Sequence, residues 1–244
     1  MKGIGTLINI ATVSVGGSLG LLVGRRLSEN LKTTVMRGLG LITLVIGFRM
    51  AFETLSIFVP MGSVVVGGVV GEMLGIKTHL DSLGAAFKRK FAQYGGGGDQ
   101  DTFSKGFVTA SLVFCVGPMT VIGAVQDGLT GDFTLLAIKA GLDGFAAMAF
   151  ASTLGLGVLF SIFTLVFYQG GLTLLAALLS SSLAGVNVAE TAAVNELSAT
   201  GGVLIIGIGL MILEIKEVKV SNYLPAIILA PLIVLAISYF GISL

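Results

Sequence analysis

Long apolar stretches separated by short polar segments run along nearly the whole chain. Apolar runs of about 20 residues recur, and each is long enough to cross about 30 Å of hydrocarbon. The pattern predicts eight membrane spans, close to residues 3–24, 35–52, 61–76, 106–128, 133–154, 158–179, 197–213 and 224–240. We therefore predict an all-α, polytopic membrane helix bundle that forms a single integral membrane domain over residues 1–244. The polar segment 77–105 is predicted to be a cytoplasmic loop.

The composition agrees with a protein whose main partner is the lipid bilayer. The chain is 55% hydrophobic and 11% charged, whereas a soluble domain carries about 25% charged residues. Its net charge of +1 gives no basic footprint for nucleic acid. The single cysteine, Cys115, excludes an internal disulfide, and the lone His79 lacks partners for a zinc site. We expect no cofactor and no metal centre.

Glycines mark two helix faces. Spans one and three each carry glycines at a spacing of four, a pattern that is typical of close contact between membrane helices. These glycines are Gly16, Gly20 and Gly24 in span one, and Gly67, Gly71 and Gly75 in span three. The sequence therefore predicts that spans one and three pack tightly against neighbours.

Span four, GFVTASLVFCVGPMTVIGAVQDG over residues 106–128, is interrupted in its middle. Pro118 removes one backbone donor and clashes with the preceding turn, while Gly117 weakens the helix beside it. In lipid a freed carbonyl needs another donor, so such a break normally faces protein or a wet cavity. The sequence leaves open whether the break is a transport site or a packing kink.

The basic residues predict an orientation. With eight spans, the loops after spans one, three and seven lie on one side of the membrane, and they hold eleven of the fourteen Lys and Arg residues. Basic loops favour the cytoplasmic side. We therefore predict a multi-pass protein of the inner (plasma) membrane with both termini outside.

Short matches between distant spans predict an internal repeat. Gly16-Gly17 of span one matches Gly170-Gly171 of span six, and LVIG at 44–47 matches LIIG at 204–207. A separation of five spans would invert the second triplet relative to the first, an arrangement found in secondary transporters. The alternative is that glycine and leucine align by chance in apolar helices.

Asp143 is the most costly residue for a membrane to accommodate. It lies near the middle of span five, where an ionised carboxylate costs at least about 3 kcal/mol. Lys139 lies four residues earlier on the same helix face and could neutralise it. The functional interpretation is an ion or proton site, and the structural alternative is a buried pair that holds span five to its neighbours.

Polar side chains in spans four to seven are candidates for a solute or ion pathway. Gln126 and Asp127 would form its mouth or cap a loop, and Gln169 needs a partner in lipid. Asn195 and Ser198 look like the N-cap of span seven. The hydroxyl and thiol groups before the break either line the path or bond the preceding turn. The predicted pathway residues are Ser111, Cys115, Gly117, Gln126, Asp127, Asp143, Gln169 and Ser198.

Six blocks of the chain together resemble a bacterial family of uncharacterised inner-membrane proteins, the YqgA/YdfK type or domain of unknown function 554. The blocks are GTLINIATVSVGGSLGLLVGRRL, FVTASLVFCVGPMTVIGAVQDGLTGD, KAGLDGFAAMAFASTLGLGVLFS, YQGGLT, ELSATGGVLIIGIGL and NYLPAIILAP. The resemblance covers nearly the whole chain and implies a multi-span membrane protein of the transporter kind with no established substrate. Pro118 departs from the small residue expected in its block, which puts the weight of the break on Gly117.

One function leads, and two alternatives stay open. The leading hypothesis is a homodimeric secondary transporter of a small solute or ion, in which Asp143 and Asp127 bind a coupling cation or proton. The alternatives are a scaffold or sensor that recruits a partner through residues 77–105, and a passive channel. Since the chain has no Walker phosphate loop, serine nucleophile elbow or dinucleotide fingerprint, we expect that it is not an enzyme.

Overall fold

A computed structural model of the chain describes residues 2–24, 26–79, 82, 100–178 and 192–240. Regular structure in these ranges is helical, with no strand, so the predicted all-α class is confirmed. Residues 80, 81 and 83–99 of the predicted cytoplasmic loop, and the segment 179–191, lie outside the described residues.

Ten α-helices are labelled in chain order, together with one π-helical and one 3₁₀ segment. They are α1 (Ile4–Gly24), α2 (Glu29–Ala51), α3 (Phe58–Met73), α4 (Gln100–Cys115), α5 (Pro118–Thr130), α6 (Thr134–Leu154), α7 (Gly157–Thr164), the π segment (Leu165–Gly170), α8 (Gly171–Leu178), α9 (Ala192–Ile212), the 3₁₀ turn (Val220–Tyr223) and α10 (Pro225–Tyr239). The predicted spans therefore correspond to helices, and span four is divided as expected.

Six helices in the described part of the chain are long and apolar enough to cross a membrane, when α7, the π segment and α8 count as one. The bent pair α4 and α5 would be a seventh. Helix α3 has only 16 residues, fewer than the roughly 20 that a straight span needs. The predicted count of eight stays a prediction.

The contacts divide the chain into two compact units. Unit 1 consists of Met1–Val35 and Phe87–Val188, and unit 2 of Met36–Ala86 and Ala189–Leu244. Unit 1 thus contains α1 and the helices from α4 to α8, while unit 2 contains most of α2 with α3, α9 and α10. The single domain predicted from the sequence stays a prediction.

Unit 1 is built on a close contact between α1 and α6. Three glycines of α1 spaced by four face three backbone carbonyls of α6, also spaced by four: Gly16, Gly20 and Gly24, and those of Gly144, Met148 and Ser152. A side chain at any of these glycines would collide with backbone, so the helices approach this closely only because glycine is present. The predicted glycine face of span one is confirmed.

Unit 2 uses glycine in the same way. Gly67 and Gly71 of α3 lie against the backbone of Ala226 and Asn222, and Gly47 of α2 faces Gly202 of α9. The third predicted member of the α3 face was wrong. Gly75 follows the end of α3 with a φ of +59°, and a Cβ there would meet nothing, so its role is to end the helix.

Candidate functional site

Span four breaks where the sequence predicted. Helix α4 ends at Cys115 and α5 begins at Pro118, and the two helices differ in direction by 58°. Between them Gly117 is extended, with φ −67° and ψ 149°. Proline is well suited to the first position of a helix, because that residue's N–H has no intrahelical partner. The proline therefore starts the second half of the span.

The break leaves a carbonyl that the surrounding structure satisfies. Pro118 has no N–H to offer the carbonyl oxygen of Phe114, four residues earlier. The hydroxyl of Thr120 donates to that oxygen at 3.0 Å, and the N–H of Thr120 donates to the carbonyl of Gly117 at 3.0 Å. Because these bonds replace the lost helical ones, the bend is a stable feature of a membrane-depth helix.

A buried ion pair lies in the middle of α6. Lys139 and Asp143 are 5% and 6% exposed, and the Lys139 ammonium donates to Oδ2 of Asp143. The pair predicted from the i, i+4 spacing is confirmed. Cys115, at the end of α4, is buried and interacts electrostatically with both members. The charged centre of unit 1 is therefore next to the point where span four breaks.

Helix α1 and the π segment complete a buried polar network around the pair. The side-chain amide of Asn9 donates to Oδ2 of Asp143 at 2.9 Å and to Oε1 of Gln169 at 3.0 Å. Gln169 in turn donates to the hydroxyl of Thr6 at 3.1 Å. Three separate elements thus converge on one carboxylate, a degree of connection that a simple helix-to-helix ion pair does not require.

The π segment Leu165–Gly170 interrupts the regular helix between α7 and α8. Its looser turn carries Gln169, which is fully buried. The hydroxyl of Thr173 donates to the backbone carbonyl of Gln169 at 3.0 Å. Single π turns within α-helices occur frequently at functional sites. This one places a neutral hydrogen-bonding side chain against the charged centre.

One oxygen in the network has no partner among the described residues. Oδ1 of Asn9 is buried and makes no hydrogen bond, although the same amide donates twice through its nitrogen. An unsatisfied buried acceptor costs about 1–3 kcal/mol. The site therefore contains an acceptor that a solvent molecule or a ligand could satisfy.

Asp127 serves a different purpose from Asp143. Its side chain is fully buried, and its two oxygens accept the backbone N–H groups of Gly3 and Gly5 at 3.0 Å each. These N–H groups belong to the start of α1, where free donors and the helix dipole favour a negative group. Asp127 holds the beginning of α1 against α5.

The other predicted pathway residues lie in varied surroundings. Ser111 bridges to Thr164 of α7, with 2.9 Å between the two hydroxyl oxygens. Gln126 is exposed on α5. Gly117 faces open space, since a Cβ there would meet no atom within 4 Å. Of the eight predicted residues, Cys115, Asp143 and Gln169 lie in or beside the charged network.

Ser198 belongs to unit 2. Because α9 begins at Ala192, Ser198 and Asn195 lie inside the helix, and the predicted N-cap of span seven was wrong. The hydroxyl of Ser198 donates to Oε2 of Glu53 at 3.0 Å.

The sequence also gave too little weight to the buried carboxylate of Glu196. It accepts the N–H groups of Leu55 and Ser56 at 2.7 and 3.0 Å and the hydroxyl of Thr54 at 2.8 Å. Glu196 follows a polar segment, so its position suggested a surface residue. Asn9 and Thr6 in α1 were detectable only as polar side chains within an apolar span.

Comparison with known proteins assigns the chain to a family. The model for a protein of unknown function, DUF554, matches residues 4–235. The chain belongs to the DUF554 family. This DUF554 chain is 27% identical over 244 residues to the uncharacterized membrane protein YdfK of Bacillus subtilis (strain 168), with 98% of each chain covered. It is 30% identical over 227 residues to the uncharacterized protein YqgA of Escherichia coli (strain K12), covering 93% of this chain and 94% of that one. No solved structure showed a significant match.

The family assignment and the helices agree on a coarse class. A relative of nearly equal length is named as a membrane protein, and the described residues form several helices able to span a bilayer. Among those residues, no group of three or more His, Cys, Asp or Glu side chains could hold a metal ion. The chemistry available to this DUF554 protein is therefore that of its buried ion pair and amides.

Proposed function

We propose that this DUF554 protein is a secondary transporter of a small solute or ion, coupled to a proton or cation, in the bacterial plasma membrane. The charged network of unit 1, formed by Lys139, Asp143, Asn9 and Gln169, would be its binding centre. We keep the predicted homodimer and the outside location of both termini as parts of the proposal.

The observation that carries the proposal is a buried ion pair beside a broken span. Ionisable residues within membrane spans are expensive and commonly mark ion or substrate pathways. Irregular backbone at membrane depth is tolerated where it is enclosed in protein or lines a cavity. Both features meet at Cys115, which ends α4 and interacts with Lys139 and Asp143.

The break also supplies a point about which the site could open. Gly117 is extended, and the space next to its Cα is free of other atoms. A change of backbone angles there would swing α5 relative to α4 without collision at this residue. Hinges of this kind are a few residues at the ends of regular elements. Asp127 would keep the start of α1 attached to α5 during such a movement.

The division into units supports the predicted inverted repeat. Spans one and six, which the repeat pairs with each other, both contribute to unit 1. Spans two and seven and spans three and eight, the other two pairs, all contribute to unit 2. A repeat in which equivalent spans share a unit is the arrangement expected of transporters whose site lies at the repeat interface.

Flux measurements in proteoliposomes test the function. The full chain is reconstituted with a pH-sensitive dye inside, a proton gradient is imposed, and sodium, potassium and a panel of small metabolites are added in turn. We expect solute-dependent movement of protons in the native protein. The variant with Asp143→Asn and Lys139→Met removes both charges, so neither is left unpaired, and it should lower the flux by at least about tenfold.

Asp132→Asn is the matched control, because this exposed carboxylate accepts the N–H of Thr134 at the start of α6. That bond holds the pKa of Asp132 below its usual value, which identifies the residue as a helix cap. Its flux should equal that of the native protein. Equal flux in the native and charge-free proteins would contradict the transporter proposal. Downhill flux that needs neither charge would favour a passive channel.

A further inference from the structure

We propose that the charged network binds one small solute of zero net charge that offers both a hydrogen-bond donor and an acceptor. The donor would bond Oδ1 of Asn9, and the acceptor would bond the Lys139 ammonium. This inference rests on the proposed function, since it names the class of solute that the binding centre would take. Zwitterionic amino acids and small amides share this chemistry.

The missing bonds of the network define what the solute must offer. Oδ1 of Asn9 is fully buried and has no donor. An ammonium has three N–H donors, and in the described part of the chain the one on Lys139 bonds Asp143 alone. The site therefore lacks one donor at Asn9 and has spare donors at Lys139.

Asp143 places these two incomplete groups close together. The Lys139 ammonium and the Asn9 amide nitrogen both donate to the same oxygen, Oδ2 of Asp143. The Asn9 carbonyl is one bond angle away from that nitrogen, so a single small molecule could reach both groups. A solute with its donor and acceptor a few bonds apart fits this requirement.

Charge selects among such solutes. One ammonium and one carboxylate leave the network neutral, and neither is more than 6% exposed. Adding a single charge to a buried, neutral site carries a large desolvation cost with no counter-charge to offset it. A zwitterion or a neutral amide adds no net charge, and its own groups would satisfy the two incomplete ones.

Binding to the purified full chain in detergent tests the inference. The probes are glycine, L-alanine and acetamide, which carry N–H donors and no net charge. Glycine betaine, also a net-neutral zwitterion but without an N–H, is the matched control, and acetate and methylammonium carry single charges. We expect the first three to raise the melting temperature by at least about 2 °C at saturation. The three controls should cause no rise.

The comparison of glycine with acetamide distinguishes the two sources of the shared chemistry. A response to glycine and L-alanine alone identifies a zwitterion site, and a response to acetamide alone identifies an amide site. Both outcomes support the inference. The pattern is measured on the native protein, so it does not depend on the folding of any variant.

A variant locates the site on the network. Asn9→Leu removes the unpartnered carbonyl and should weaken binding of the responding probe by about tenfold or more. Thr200→Val is its matched control, because Thr200 in unit 2 also has a buried side-chain oxygen without a partner. It should leave binding unchanged. Unaltered binding in Asn9→Leu would overturn the inference.

The remaining outcomes separate this inference from the proposed function. A rise with betaine equal to that with glycine, a preference for a charged probe, or no rise with any probe would overturn the inference. Proton-coupled flux of sodium in proteoliposomes together with no binding of neutral probes would refute the solute class and keep the transporter. The expected binding pattern without flux of the bound solute would keep the site and contradict transport.

Discussion

Units 1 and 2 bury carboxylates in two different ways. In both units a carboxylate from one helix accepts backbone N–H groups near the start of another. Asp127 does this for α1, and Glu196 does it just before α3. Asp143 in unit 1 differs, because its partners are the side chains of Lys139 and Asn9 in the middle of the fold.

What the units share explains folding, and what they do not share suggests function. Close glycine contacts and carboxylate caps occur in both, so they are requirements of packing short of side-chain volume and of satisfying helix ends. A mid-helix ion pair among amides is present in unit 1 alone within the described ranges; the described ion pair of unit 2, Lys219 with Glu72, is exposed. Folding does not require this arrangement, which is why we assign the binding centre to it.

The largest effects should come from the glycine contacts, and they should appear in both units. We expect Gly16→Val in α1 and Gly71→Val in α3 to prevent folding, because the added side chain would collide with backbone that cannot move aside. The measurement is the folded fraction in detergent by size-exclusion chromatography.

Two glycines with no neighbouring atom provide the control for this comparison. Gly141→Ala in α6 and Gly62→Ala in α3 add a Cβ where nothing lies within 4 Å. Both should fold and should be at least as stable as the native protein, since alanine favours the helix. A folded Gly16→Val protein with an intact α1 to α6 contact would contradict the shared role of glycine.

A double-mutant cycle on Lys139 and Asp143 sharpens the difference between the units. Lys139→Met or Asp143→Asn alone leaves one buried charge without its partner, so each should lower the free energy of unfolding by about 3–5 kcal/mol. The double variant should recover most of that loss, because no charge then stays buried. Thermal unfolding of the four proteins measures the coupling. Additive losses would show that the two side chains do not act as a pair.

The smallest expected effect concerns the carboxylate cap of unit 2. Glu196→Gln keeps the size of the side chain but weakens its bonds to Leu55 and Ser56, so stability should fall by about 1–3 kcal/mol. Flux corrected for the folded fraction should equal that of the native protein. A loss of flux at unchanged stability would place a functional group in unit 2 and break the contrast between the units.

Much of the fold follows from local patterns in the sequence. Apolar runs located the helices, glycines spaced by four located the tight face of α1, and Gly155 marked the turn after α6, where φ is +72°. The break at Gly117 followed from local chemistry, since glycine and proline weaken a helix wherever they occur. The same holds for the pairing of Lys139 with Asp143, which are one helical turn apart.

The membership of the site depended on long-range contacts. Asn9 reaches Asp143 across 134 residues and Gln169 across 160, and no spacing rule connects positions that far apart. Ser198 was misassigned as a cap because the start of α9 is set by tertiary packing rather than by the nearest polar residue. Glu196 was taken for a surface group, although the turn before α3 satisfies it in the interior.

The sequence by itself determined that this is an all-helical membrane protein, that span four breaks, and that a lysine and an aspartate face each other within α6. Each of these depends on residues within one or two helical turns, where backbone geometry fixes the outcome. Only the tertiary structure decided that Asp127 caps a helix, that Asp143 gathers an amide network, and that Asn9 keeps one oxygen free. Hydrogen-bond satisfaction in a buried site depends on all the elements that meet there.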